Sequence, residues 1–118
     1  MTRSRLFLAA IVTALAFPAI AQDAATGSAI RSALSGNTVQ GSMSASGGYT
    51  EFYAADGQIR AADYTGTWSV VGNQMCFSYG DDPESCFGVR LAGNRVTWIG
   101  AGGDEGTGTI VAGNPNNF

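Results

Sequence analysis

The chain has 118 residues, with six lysines and arginines against nine acidic residues, and it has no histidine. Nucleic-acid binding is disfavoured, because it needs a basic surface that displaces counterions from phosphates. Binding to an anionic membrane surface is disfavoured for the same reason. Without histidine there is no Ser-His-Asp or Cys-His nucleophile system and no His-ligated zinc site. We therefore predict a single domain that is not an enzyme and binds no cofactor.

The N-terminal segment has the pattern of an export signal. Arg3 and Arg5 precede an apolar run over residues 6–17, and small residues follow at Ala19 and Ala21. This order is typical of a signal peptide with its cleavage site, and the run is too short for a permanent bilayer span. We expect residues 1–21 to be removed. Four arginines would then stand against nine carboxylates, a net charge of about −5.

The exported domain, residues 22–118, begins with its one helical candidate, at 26–36. The segment has a capping residue at its start and Gly36 at its end. A helix this short is marginal in water, so we expect it to lean on a sheet and to cover one open end. Its apolar stripe consists of Ile30, Ala33 and Leu34.

Short strand-type segments occupy the rest of the chain, separated by turn residues. Consecutive antiparallel strands without crossovers predict an all-β, up-and-down meander that closes into a barrel or curls into a strongly twisted sheet. We expect a turn-like tail at 113–118. The predicted strands are 38–44, 49–55, 58–64, 66–71, 74–79, 86–92, 95–101 and 107–112.

Three dipeptides predict tight hairpins and the register of their strands: Asp56-Gly57, Gly72-Asn73 and Gly93-Asn94. Two-residue loops at these points place large apolar residues opposite one another on a single face. Because the strands are short and these residues are large, we expect a filled interior rather than a ligand cavity. The residues predicted to face inward are Phe52, Ile59, Trp68, Val70, Met75, Phe77, Val89, Leu91, Val96 and Trp98.

The same register predicts that polar and aromatic residues near Phe52 lie on the outer surface. Tyr49, Glu51 and Tyr53 alternate with Phe52, and Arg60 would lie across from Tyr53. Two interpretations stay open. The arginine packs along the tyrosine ring as a surface pair, or the tyrosines form an exposed patch for a partner or glycan.

The chain has two cysteines, Cys76 and Cys86. In an exported chain an even number of cysteines indicates a disulfide. The predicted register places both on the outer face of neighbouring strands, which is consistent with a structural bridge.

The connections at the end opposite the tight turns are longer and rich in carboxylates. Loops on a rigid scaffold are common binding sites. Three interpretations remain: charged loop tips for solubility, a surface for a cationic protein or peptide, or a Ca²⁺ site. The spacing matches no EF-hand, and we predict no metal. The candidate binding residues are Asp81, Asp82, Glu84, Asp104 and Glu105.

The segment Gly66-Thr67-Trp68, followed by Cys76 and Cys86, resembles small exported bacterial β-domain proteins of unknown function with a G-x-W segment before a cysteine pair. The likeness spans about residues 49–100 and implies a compact periplasmic β-domain. The G-x-W segment is also similar to that of lipocalin and avidin-type barrels, where it lies on the first strand, whereas Trp68 falls on about the fourth. Small exported inhibitors of proteases or lysozymes are likewise disulfide-bonded β-barrels.

Together these features favour a monomeric, non-catalytic binding protein, such as an inhibitor, that is periplasmic or secreted. It would act on a cationic protein through its acidic loops. The alternatives are a structural or envelope-associated β module and a small-ligand-binding barrel.

Overall fold

The computed structural model describes residues 23–118, so the predicted signal peptide at 1–21 lies outside the described residues. One short helix precedes eight antiparallel strands that follow one another around a closed barrel, with β1 paired to β8. The predicted all-β meander is confirmed, and its closure makes it a barrel. The elements are α1 (Gly27–Leu34), β1 (Asn37–Met43), β2 (Gly47–Tyr53), β3 (Gln58–Arg60), β4 (Thr65–Val71), β5 (Gln74–Ser78), β6 (Ser85–Ala92), β7 (Arg95–Gly100) and β8 (Gly103–Val111).

Two of the three predicted hairpins have the expected register. Around Gly72 and Asn73, Trp68 pairs with Phe77, and around the next tight turn Val89 pairs with Trp98. The predicted inward residues on these strands are accordingly buried or half-buried in the core.

The hairpin between β2 and β3 differs by one residue from the prediction. Tyr53, not Phe52, lies on the inner face, where it pairs with Ile59, and Phe52 pairs with Arg60 on the outer face. Tyr53 and Ile59 are fully buried. The prediction that Phe52 points inward is therefore wrong, and so is the outer position predicted for Tyr49, Glu51 and Tyr53.

The cause is a loop one residue longer than predicted. Ala54 N donates to Gln58 O at 2.9 Å, which closes a loop of residues 55–57, and Gly57 N donates to Ala54 O at 3.0 Å. Gly57 has a φ of 93°, the positive value that the last position of a three-residue hairpin loop requires. Because strand side chains alternate with a period of two, this one-residue difference exchanges the two faces of β2.

Helix α1 covers one open end of the barrel, as expected, and this is the end that carries the tight turns. Its start is capped by Thr26, whose side chain accepts from Ala29 N, and Gly27 N donates to Asn73 Oδ1 in the β4–β5 turn at 2.9 Å. Ile30 and Leu34 are fully buried. The helix thus seals this end with its apolar stripe.

A disulfide joins Cys76 and Cys86, which are direct cross-strand partners on β5 and β6. It confirms the predicted pairing and is typical of proteins in an oxidising, extracytoplasmic compartment. Among residues 23–118 there is no helix with the length and apolar character to cross a bilayer.

Candidate functional site

A cavity of about 700 Å³ occupies the half of the barrel away from α1. Ser46, Gly80 and Ser85, in or next to the connections at the open end, lie along its wall. The prediction of a filled interior is wrong for this half of the barrel, whereas the half next to α1 is packed with buried apolar side chains. Phe52 points outward. The inner positions of β8 opposite Val96 and Trp98 are glycines, and the space beside them is taken by Val39, Tyr49 and Met43.

The floor of the cavity is aromatic. Phe77 lies at its centre, edge-on to Trp98 with ring centroids 5.3 Å apart, and it also contacts Tyr53 and Phe87 at 5.9 and 6.0 Å. Edge-to-face packing of this kind is favourable beyond the area it buries. The floor of the cavity is therefore an apolar surface of interlocking rings.

One wall carries a buried carboxylate, Glu51, which is 5% exposed. Three phenols donate to it. Tyr53 lies 2.9 Å from Oε1, Tyr64 lies 2.7 Å from Oε2, and Tyr79 lies 2.9 Å from both oxygens. Charge-assisted hydrogen bonds are about twice as strong as neutral ones. They offset part of the cost of removing the carboxylate from water.

The three tyrosines come from different parts of the barrel. Tyr53 is on β2, Tyr64 ends the 61–64 connection and is 40% exposed, and Tyr79 begins the 79–84 connection. The rings of Tyr64 and Tyr79 meet edge to face at 5.9 Å. Glu51 thus ties two connections of the open end to the barrel wall.

Gly66 on β4 makes room for the Tyr79 ring. A Cβ at this position would lie 2.8 Å from Tyr79 Cδ1 and 2.7 Å from Ser78 O, closer than side-chain carbons are found. The absence of a side chain at Gly66 is therefore what lets the Tyr79 ring pack against the strand and reach Glu51.

Tyr49, the fourth tyrosine, has its hydroxyl engaged elsewhere. It accepts from Trp98 Nε1 at 2.7 Å and donates to Thr107 O at 3.2 Å. A Cβ at Gly108 would lie 2.6 Å from this hydroxyl, so the glycine accommodates it. All four tyrosines of the chain therefore line one cavity.

Burial and the nearby carboxylate raise the pKa of each of these tyrosines. For Tyr53, Tyr64 and Tyr79, burial is the largest cause, and the charge of Glu51 and the hydrogen bond to it act in the same direction. For Tyr49, burial raises the pKa, the hydrogen bond from Trp98 lowers it, and Glu51 raises it. The phenols thus remain protonated donors well into the alkaline range.

The acidic residues predicted from the sequence lie in two places. Asp81, Asp82 and Glu84 are exposed in the 79–84 connection at the open end, as predicted. Asp104 and Glu105 belong to β8, because the preceding turn is only residues 101–102, and Asp104 forms a 3.2 Å salt bridge with Arg90. A cationic protein partner at these residues stays a prediction.

One group of potential metal ligands occurs among residues 23–118: Cys76, Glu84 and Cys86. Its two sulfur atoms are joined in the disulfide, so they are not the thiolates that metal binding requires. The sequence-based alternative of a Ca²⁺ site gains no support from this group, because Ca²⁺ prefers oxygen ligands.

Sequence analysis did not identify Glu51 as a site residue and considered Tyr49 and Tyr53 only as an exposed patch, because it assigned these three residues to the outer face. Two signals were available. The alternation Tyr49-x-Glu51-x-Tyr53 places all three on one face of a strand, and the glycine of Asp56-Gly57 fits the last position of a three-residue loop as well as a two-residue one.

Comparisons of this chain with models of protein families, with curated proteins and with solved structures give no match.

Proposed function

We propose that this protein is a non-catalytic binding protein that holds a small organic molecule in its open cavity. The observation that carries the proposal is the cavity itself, about 700 Å³ with an aromatic floor and a few polar groups on one wall. Small-molecule sites usually have volumes of about 300–1,000 Å³ and this mixture of apolar lining and localised polar groups.

The barrel architecture supports this use. Small eight-stranded barrels either fill their interior with side chains or enclose one small ligand. Here the helix seals one end with Ile30 and Leu34, and the other end is bordered by connections that carry Tyr64 and Tyr79. A ligand would enter between these connections and be enclosed by the rigid strands.

We place this function in the periplasm or outside the cell. The signal-like pattern from Arg3 to Ala21 supports export. The Cys76–Cys86 disulfide is consistent with an oxidising compartment. In that setting the barrel would sequester or carry its ligand.

The test is a fluorescence titration with N-phenyl-1-naphthylamine, an uncharged aromatic dye whose emission increases in apolar surroundings. We expect saturable binding to the wild-type protein. Ser85→Trp, which adds an indole beside the cavity, should weaken binding. Ser69→Trp is the matched control, because Ser69 is exposed on the outer face of β4. No saturable signal, or equal binding by Ser85→Trp, would contradict the proposal.

A further inference from the structure

Glu51 is a buried negative charge without a cationic partner among residues 23–118. Its hydrogen bonds come from Tyr53, Tyr64 and Tyr79, and the salt bridge in the described part of the chain is between Arg90 and Asp104. Buried carboxylates are costly and are normally paired with a cation or a metal. Phenols supply hydrogen bonds but no compensating charge, so the site still attracts a positive group.

The hydrogen-bonding capacity of this wall indicates which kind of group it would bind. A carboxylate offers about four acceptor positions, and each phenol has a single proton. Tyr53, Tyr64 and Tyr79 all direct that proton to Glu51, and Tyr79 shares its proton between both oxygens. Three protons thus meet about four acceptor positions, and the phenol lone pairs remain. The wall therefore presents acceptors, and a complementary ligand must bring the donors.

The aromatic rings add a second preference for positive charge. The rings of Tyr64 and Tyr79 adjoin the carboxylate, and those of Phe77 and Trp98 form the floor beyond it. A cation within about 6 Å of an aromatic ring face is attracted by the ring's electron density, most strongly where water is excluded. Cages of aromatic rings are a known means of binding alkylated ammonium groups.

Charge around the mouth acts in the same direction. Asp63 precedes Tyr64 in the 61–64 connection, and Asp81, Asp82 and Glu84 are exposed in the 79–84 connection. Charges of one sign around a cleft raise the local concentration of ligands of the opposite sign. An anionic ligand would be repelled both at the mouth and at Glu51.

We propose that the ligand is a small organic cation, a protonated amine with an aromatic or apolar body. Its ammonium group binds Glu51 between Tyr64 and Tyr79, and its body lies against Phe77 and Trp98. This inference rests on the proposed binding function and specifies its ligand class.

The experiment compares three ligands of similar shape by isothermal titration calorimetry at pH 7: 2-phenylethylammonium, 2-phenylethanol and 3-phenylpropionate. For the wild-type protein we expect the ammonium ligand to bind about tenfold tighter than the alcohol, and the carboxylate ligand to bind most weakly. Glu51→Gln, which keeps the shape and removes the charge, should reduce ammonium binding to the level of the alcohol and leave alcohol binding unchanged.

The matched control is Asp56→Asn, which removes the same charge at the helix-covered end. Asp56 Oδ1 accepts from Gln58 N there, and an asparagine oxygen can do the same. This variant should bind like the wild-type protein. The wild-type comparison of the three ligands tests the inference even if Glu51→Gln does not fold.

The outcomes separate the two proposals. Binding of the naphthylamine dye or of the alcohol without a preference for the ammonium ligand would overturn the cation inference and leave the binding function standing. If neither the dye nor any of the three ligands binds, both proposals are wrong.

Discussion

The hydroxyl of Tyr79 lies 2.9 Å from each oxygen of the Glu51 carboxylate, on the inner wall of the barrel. The two residues are 28 positions apart in the chain, and their contact joins β2 to the connection that follows β5. It links the fold to the proposed function, because the same contact orients the carboxylate and leaves the ring of Tyr79 beside the space for a ligand.

The tyrosines should not ionise in the native protein near their ordinary pKa of about 10. Since all four have raised pKa values, tyrosinate absorbance at 295 nm should stay low past pH 10 in the folded protein and increase there in urea. Normal titration of two or more tyrosines in the folded protein would contradict the network around Glu51.

Stability should decrease on the alkaline side for the same reason. The folded-state pKa values lie above the unfolded-state value, so the unfolded chain binds fewer protons once the pH passes about 10. The contribution of the tyrosines to the free energy of unfolding is complete below that pH and is lost as the pH rises above it. Urea unfolding at pH 8, 10 and 11 should show this decrease. Tyr64→Phe should make this decrease in stability with pH less steep. An equally steep decrease in the variant would contradict the prediction.

Replacing Gly66 by alanine should displace Tyr79. The added Cβ would meet Ser78 O and the Tyr79 ring at less than 3 Å. We expect a loss of about 1–3 kcal/mol in the free energy of unfolding, together with weaker binding of 2-phenylethylammonium. Gly102→Ala is the control, since a Cβ there meets nothing within 4 Å, and it should change stability by less than about 0.5 kcal/mol. Equal effects of the two variants would refute this role of Gly66.

Removing the disulfide should affect stability more than binding. The bridge lies on the outer face and closes a loop with a sequence separation of 10, so Cys76→Ala with Cys86→Ala should cost about 2–3 kcal/mol in urea unfolding. Ligand affinity should be retained while the protein is folded. The reduced wild-type protein provides the control. A large loss of ligand affinity in the folded double variant would show that the bridge shapes the cavity.

The exposed carboxylates of the 79–84 connection should attract cationic ligands by long-range electrostatics. Changing Asp81 and Asp82 to Asn and Glu84 to Gln should weaken binding of 2-phenylethylammonium at low salt and have little effect at high salt, because exposed charges are screened. A loss that persists in high salt would mean direct contact with the ligand.

The same triple variant tests the prediction of a cationic protein partner. Proteins retained from a periplasmic extract by the wild-type chain should be lost by the triple variant if these residues form the binding surface. A partner retained equally by both proteins would exclude these three residues as its site.

Much of this fold follows from local sequence signals, and the site depends on one signal that is ambiguous. Glycine and asparagine at 72–73 and 93–94 determine two-residue turns, so Trp68, Phe77 and Trp98 could be placed inside correctly. Asp56-Gly57 is compatible with loops of two or three residues, and these give opposite faces to Glu51. The cavity depends further on closure of β1 onto β8 and on the packing of Met43 and Tyr49 against inner glycines at 106 and 108, which are long-range properties that no local pattern specifies.

The most direct test of cation binding at Glu51 is a crystal structure of the protein with 2-phenylethylammonium. We expect the ligand to lie inside the barrel, with its nitrogen within hydrogen-bonding distance of the Glu51 carboxylate and its ring against Phe77. A ligand bound on the outer surface, or one inside the barrel with its nitrogen turned away from Glu51, would contradict this expectation.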